Sequence, residues 1–386
     1  MIQFELPAEY DDFRKTARDF ARKEIAPLVA EAEEQETYPR PLLRRMGELG
    51  LLCLTVPEQY GGPGGDIFSQ CIFTEEVGYV SLGIAIGTMV HAAYAATLLL
   101  ECGTEQQKQR YLPPACRGEE AWAFAATEAE AGSDRSRIQT TLSDAGDDFV
   151  LNGTKTFITN STIADYLIVE GYTDRSKGMA GLSLVIVPRS TPGLTVRKLS
   201  KAGIRCSEIA ELTFSECRVS KRNQLGVSGE AFEKVRRIRT ASWLLVGARA
   251  LGVSRAAFDA ALDHAKTRVQ FGRPIGHYQA NSFRLAEMAM DIDAARLLML
   301  RAAALHHQGR SCFQEAAMVK LFASEMAVRI TNQALQMHGA SGYMMDSPLQ
   351  RYFRDARMLT ISEGSSEIQH INLARGLGLR ADDYYA

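Results

Sequence analysis

Glu363 stands directly before Gly364-Ser365-Ser366-Glu367, and a helical pattern resumes behind it through Ile368, Ile371, Asn372 and Arg375. A carboxylate on a tight turn can face a cavity while its backbone is held still. That suits a general base that must reach a weakly acidic C–H. The same residues also read as a plain helix start, with Ser365 as the cap and the acids favoured by the helix dipole. The choice between the two depends on the rest of the chain.

Four other segments carry residue types suited to a ligand. In Phe124 to Asp134, the small residues, hydroxyls and backbone amides of Ala126, Thr127, Gly132 and Ser133 suit a flat, polar ligand edge, though an ordinary loop has the same composition. Phe157-Ile158-Thr159 could flank a ring system or be core. Arg268 closes a helical run, with Gly272 expected to stop it and Pro274 to prevent its resumption. Beside Phe271, Tyr278 and Gln279, that arginine suits a phosphate, or simply the helix dipole. Gln336-Met337-His338-Gly339-Ala340 ends a long helical run in small residues that admit a diphosphate or another backbone. His338 has no neighbours that would complete a triad, and reads as structural.

The elements behind these segments fall into three blocks. Residues 1–120 read as helical, 121–228 as strands and 229–386 as helical again, an α+β arrangement rather than alternating βαβ units. Thr104 and Gln107 form a capping-box pattern. Asn152-Gly153 within Phe149–Thr159 reads as a hairpin turn. No GxGxxG follows a strand, which counts against a Rossmann site. The net charge of -2 does not favour nucleic acid or an anionic membrane as the main partner. Seven scattered cysteines without a CxxC or Cys/His cluster indicate neither a disulfide framework nor a metal site, and suit a reducing, cytoplasmic compartment. Met1 to Pro7 shows no secretory pattern. The most apolar run is read at Leu51–Val56, too short to span a bilayer.

Taken together, the chain resembles the acyl-CoA dehydrogenases along essentially its whole length. The anchors are Thr127-Glu128 with Ala131-Gly132-Ser133-Asp134, Asn152-Gly153-Thr154-Lys155 with Ile158-Thr159-Asn160, Gly203 to Ser207, Arg268 with Phe271-Gly272, Gln336 with Gly339, Arg354-Asp355-Ala356, and Glu363 to Gln369. The resemblance implies an N-terminal helical domain, a central β-sheet domain and a C-terminal four-helix domain, in a homotetramer. It implies FAD, held partly by a neighbouring subunit. Phe124, Ala126, Thr127, Gly132, Ser133, Phe157, Ile158 and Thr159 would meet the flavin end. Arg268, Phe271, Tyr278, Gln279 and Gln336 to Ala340 would hold the ADP end, and Ser365 and Glu367 would complete the site. Glu363 falls on the family's base, which removes the α proton of an acyl thioester while flavin N5 takes the β hydride. Ser133, Trp243, Ser362 and Gly364 fall on the substrate side.

The departures bear on the substrate. Ala129-Glu130 stands where the family often has Pro-Gly. Members that grip CoA commonly carry Asp-x-x-Arg, where this chain reads Thr240-Ala241-Ser242-Trp243. Just upstream, Lys234 to Arg239 is a cationic run, suited to a solvated helix face or to an acidic acyl or peptidyl carrier protein. Ser362 stands where many fatty-acyl enzymes have an aromatic, which suits a polar or cyclic acyl group. The readings that remain are an acyl-CoA dehydrogenase, an oxidase or dehydrogenase of a carrier-tethered aminoacyl or small acyl group in secondary metabolism, and a non-redox binding protein on the same fold. Electrons would pass to an electron-transfer flavoprotein or to oxygen.

Overall fold

The structure, a computed structural model, describes residues 6–379. Residues 1–5, part of the stretch read for a leader, lie outside it. Seven helices come first: α1 (Ala8–Phe20), α2 (Val29–Gln35), α3 (Pro41–Glu48), α4 (Ile67–Val80), α5 (Leu82–Met89), α6 (Ala96–Cys102) and α7 (Glu105–Cys116). The α7 cap is the expected capping box: Gln107 N–H donates to Thr104 Oγ1 (3.2 Å) and Thr104 N–H to Gln107 Oε1 (2.9 Å). Between α5 and α6 the chain continues as one π-helical turn, Val90–Ala95. Within Leu82–Cys102, the most apolar 18-residue window has a mean hydropathy of 1.6 and is 89% buried inside the protein. This corrects the sequence reading. The chain's long apolar run is here rather than at Leu51–Val56, and it is a core helix.

Strands follow from Trp122. They are β1 (Trp122–Ala125), β2 (Thr141–Ala145), β3 (Asp148–Thr159), β4 (Tyr166–Tyr172), β5 (Leu182–Pro188), β6 (Leu194–Leu199), β7 (Ile209–Ser220) and β8 (Gln224–Leu225). Their order is β6-β7-β3-β2-β4-β5-β8, with β1 parallel to β4. On β7, Leu212 and Phe214 face in and Ser215 faces out, as suits a sheet with one wet face.

Asn152-Gly153 is not a turn. It lies mid-strand at a β-bulge, where the register with β7 shifts between Leu151 and Gly153. The glycine is needed because any Cβ there would collide with Thr140 Oγ1 at 2.5 Å. Asn152 receives Glu216 N–H at 2.8 Å. The real turn is at Gly146, φ 78°, whose N–H donates to Asp144.

The last block is α8 (Ala231–Thr267), a short hairpin of β9 (Val269–Gln270) and β10 (Arg273–Pro274), then α9 (Gln279–His307), α10 (Phe313–His338), α11 (Pro348–Ala356) and α12 (Ser366–Gly376). Helix α8 ends at Thr267 with Arg268 extended, so Gly272 does not stop it. Phe271 and Gly272, φ 51° and 80°, form the two-residue turn of the β9–β10 hairpin. Through its 37 residues, α8 packs against α4, α9, α10 and β5. It is the beam on which the site is built.

Candidate active site

The turn carrying Glu363 lies between a 3₁₀ turn, Arg357–Thr360, and α12. Glu363 has φ 58° and Gly364 φ 90°. A left-handed conformation at a non-glycine residue is strained, and contacts to the backbone hold it. Trp243 Nε1 donates to the Glu363 carbonyl at 2.8 Å, with Gln369 Nε2 a longer donor at 3.5 Å. Ser365 sits at the α12 N-cap without a side-chain cap bond. Its hydroxyl instead holds the exposed Glu367 carboxyl below its usual range, and Ser366 donates to Glu325.

The Glu363 carboxylate meets three side chains from two other elements. Arg249 Nη2 donates to Oε1 at 2.6 Å, while Ser242 Oγ and Tyr94 OH, the latter at 3.3 Å, donate to Oε2. Ser242 and Arg249 are seven residues apart, on one face of α8. Burial, reinforced by the Glu363 charge, keeps the Tyr94 phenol protonated. Tyr94 belongs to the π-helical turn, and its ring stacks on Phe124 with centroids 5.7 Å apart. His91 fixes that turn. Its Nδ1 accepts from Trp122 N–H at 3.2 Å, which leaves Nε2 to donate to the Ala115 carbonyl at 2.9 Å. Burial pushes the imidazole down to about 4, so it stays neutral. A wide turn at this point re-aims Tyr94 toward Glu363.

Sequence reasoning missed Tyr94, Ser242 and Arg249. Arg249 and Tyr94 had a signal, as polar interruptions in the apolar run Leu244–Val253 and in the alanine run Ala92–Ala96. Trp243, expected against substrate, is buried; its ring packs on Phe313 and its N–H donates to the Glu363 carbonyl. Ser362 is half-buried and its Oγ is enclosed with no partner.

The loop after β1 is tied down beside this turn. Lys155 Nζ donates to the Ala126 carbonyl (2.9 Å) and to Glu128 Oε1 (2.8 Å), and Thr156 N–H donates to the Thr127 carbonyl (2.9 Å). Glu128 also receives Gln139 and Thr140 N–H. The Thr127-Glu128 and Gly153-Thr154-Lys155 patterns are thus two halves of one buried clasp that shapes the loop. Gly132 and Ser133 are exposed, and an added Cβ at Gly132 would meet nothing. Glu130 is exposed, 3.8 Å from Arg137. Ile158 is core, so only its backbone can face a ligand. Phe157 beside it has φ 58° and is 62% exposed.

Arg268, Phe271, Tyr278 and Gln279 follow the end of α8, and Gln336 to Ala340 lie at the end of α10. His264 of α8 stacks on His338 of α10 with ring centroids 4.2 Å apart, joining the two helix ends. Tyr278 OH donates to the Gln270 carbonyl at 2.9 Å, and the Arg273 guanidinium lies 4.2 Å over its ring. Phe271 is 95% exposed, and Gln336, Gly339 and Ala340 are open. This set is remote from Glu363. Nineteen residues of helical rise separate Arg249 from Arg268, roughly 28 Å.

The donor set fits a flavin dinucleotide in two parts. An exposed aromatic on strained backbone beside an open glycine loop suits a flat ring system. A cationic helix end with an open glycine, Gly339 at φ 61° with nothing near an added Cβ, suits a diphosphate. Among the charged groups of the run Lys234–Arg239, Arg236 pairs with Glu233 at 2.8 Å and Arg237 is exposed. Arg239 does not belong with them on an open face. It is half-buried and within electrostatic reach of Tyr94.

Family models for the acyl-CoA dehydrogenase N-terminal, middle and C-terminal domains match residues 7–119, 123–217 and 240–378. The chain is 42% identical to a probable acyl-CoA dehydrogenase, YngJ, of Bacillus subtilis, over 97% of this chain and all of that one. Among solved structures, butyryl-CoA dehydrogenase from Megasphaera elsdenii superposes with a TM-score of 0.94 at 37% identity, covering 97% of this chain and 100% of the other. The prolyl acyl carrier protein oxidase AnaB superposes with 0.93 at 32% identity and the same coverage. With family models covering three successive blocks and relatives matched over 97% of the chain, the protein belongs to the acyl-CoA dehydrogenase family of FAD-dependent oxidoreductases, which act on acyl-CoA.

Proposed function

We propose that this enzyme dehydrogenates a short acyl thioester across Cα and Cβ, with Glu363 as the base that removes the α proton. The observation that carries the reading is the convergence of Trp243, Arg249, Ser242 and Tyr94 on one strained glutamate. Backbone and carboxylate are held separately, so the carboxylate presents a fixed direction to a bound α C–H. The Glu363 backbone N–H polarises the thioester carbonyl as negative charge develops there. Bound FAD supplies the acceptor for the hydride that leaves the β carbon. Phe124, Ala126, Thr127, Gly132, Ser133 and Phe157 to Thr159 enclose the flavin and keep water out. Ser365 and Glu367 close it from the α12 side, and Ser362 and Gly364 line the acyl site.

Arg268, Phe271, Tyr278, Gln279 and Gln336 to Ala340 hold the ADP end of the cofactor bound to a second copy of the chain. Their separation from Glu363 on the rigid α8 supports this division. So does α9, whose exposed Phe283, Met290 and Leu297 recur every seven residues as one apolar stripe. Such a stripe suits the subunit contacts of a homotetramer.

The short acyl group follows from Tyr94 and Phe124, stacked beside the base where a longer chain would extend. A second reading keeps the chemistry and changes the carrier. Trp243, where an arginine would grip CoA, turns its N–H to the base's carbonyl. The open Arg237 then favours an acidic carrier protein. Electrons leave to an electron-transfer flavoprotein or to oxygen.

One experiment tests these readings: anaerobic flavin bleaching by a panel of CoA and carrier-protein thioesters, on the wild type and on Glu363→Gln. The variant keeps FAD and is not bleached by the best wild-type substrate. Rapid bleaching of that variant would remove Glu363 as the base. A panel in which only carrier-protein thioesters bleach the wild type would select the second reading.

A further inference from the structure

Arg249 is the fully buried cation nearest the reaction, with 0% exposure. Its bonding is unusual. Nη2 reaches Glu363, whereas Nε and Nη1 are enclosed with no partner. Among arginines serving the fold, Arg135 is similarly buried, pairing with Glu170 and leaving Nε without a partner, but its partner lies in the sheet and not at the Glu363 turn. The exposed-side arginines behave differently. Arg14, Arg255 and Arg296 share the Glu75 carboxylate and remain partly exposed. A buried guanidinium with one ionic bond is costly to keep. Its single contact is with the residue that does the chemistry.

What that contact adds is the orientation of the carboxylate. Trp243 fixes the Glu363 backbone but leaves its side-chain torsions free. Arg249 on α8 takes Oε1, while Ser242 on the same helix and Tyr94 on the π-helical turn take Oε2. Donors fixed on both oxygens define the carboxylate plane, and so the lone pair offered to substrate. The remaining charged neighbours do not do this. Lys320 on α10 is buried in electrostatic reach of Glu363, Glu325 and Glu367, but its Nζ bonds none of them. Arg239 lies on the Tyr94 side.

We propose that Arg249 is the positioning residue of the reaction, setting the plane of the Glu363 carboxylate for α-proton removal. This rests on the reading of Glu363 as base, and predicts a loss confined to the chemical step. A carboxylate displaced by about 1 Å loses ~100-fold in rate. The test is anaerobic stopped-flow flavin reduction on FAD-loaded enzyme, with the best substrate of the thioester panel, for Arg249→Ala and Arg249→Lys. At saturating substrate, Arg249→Ala should reduce flavin ~100-fold more slowly, with half-saturation within about threefold of wild type. Millimolar guanidinium ion, which fits the vacated space, should restore at least ~10-fold of that rate. Arg249→Lys keeps the charge without the planar fork and should fall between the two.

A wild-type rate in either variant overturns the proposal. So does a slow Arg249→Ala enzyme that guanidinium leaves unchanged, since a merely structural defect is not rescued that way. If Arg249→Ala does not load FAD, Arg249→Lys decides alone: slowed reduction with unchanged half-saturation supports the role, and an unchanged rate removes it. Failure of the base assignment is read separately, from bleaching of Glu363→Gln.

Discussion

At the scale of single residues, the site depends on side chains with two jobs. Tyr94 is the clearest. Its hydroxyl reaches the base and its ring, stacked on Phe124, occupies the space beyond. Removing the ring while keeping an apolar residue should therefore change which substrates fit more than whether chemistry occurs. For Tyr94→Leu, flavin reduction by octanoyl-CoA should gain at least ~10-fold relative to butyryl-CoA, the usual worth of space for a methylene or more in a pocket. The check is the ratio of the two reduction efficiencies. An unchanged ratio would show that Tyr94 does not bound the acyl site. Glu363 has a parallel double character: its carbonyl anchors a strained turn through Trp243 while its carboxylate is held by Arg249, Ser242 and Tyr94.

At the scale of elements, the site is only as well placed as α8, and α8 is held by a buried carboxylate pair on α4. Glu75 and Glu76 receive Arg14 and Arg18 from α1, Arg255 from α8 and Arg296 from α9. Burial alone would raise the Glu75 carboxyl, but Arg296, Arg14 and Arg255 outweigh it and bring it down to about 2. A carboxyl depressed in the folded state stabilises fully above its unfolded value near ~4.3 and loses that contribution as pH falls through the folded value. The depression corresponds to about 3 kcal/mol. Glu75→Gln should lower the thermal midpoint at pH 7 because it removes the charge that Arg296 pairs with and that Arg14 and Arg255 share with Glu76, at a cost of roughly 1–3 kcal/mol. The gap between variant and wild type should narrow as pH drops from about 5 toward 2. Melting curves across that range check it, and a constant gap would remove Glu75 as the source of acid sensitivity.

At the scale of the whole molecule, what was legible in the sequence was what short-range physics decides. The Thr104 capping box and the change of texture at Trp122 depend only on neighbours in the chain. Asn152-Gly153 was misread because a turn and a bulge both require that glycine, and only Thr140, brought in from another strand, distinguishes them. Asp355 receiving Ile204 N–H at 2.5 Å makes two distant motifs into one joint, which no local pattern reveals. Arg249 and Tyr94 acquire roles only where α8, the π-helical turn and the Glu363 turn converge. The proposed division of the cofactor site rests on the same geometry: Arg249, which holds Glu363, and Arg268 lie roughly 28 Å apart along one helix. On that proposal each complete site draws on two chains. Two defective chains should then rescue each other. Glu363→Gln lacks the base but keeps Arg268. Arg268→Ala keeps the base but weakens FAD binding through the loss of a charge-assisted phosphate contact. Each variant alone should show little flavin reduction by substrate. Co-expressed and purified as mixed oligomers by two different tags, they should recover a fraction of wild-type activity, because sites pairing an intact Glu363 with an intact Arg268 from the neighbour exist only in the mixture. No recovery in a mixed oligomer that retains FAD would mean that both ends of the cofactor are held by a single chain.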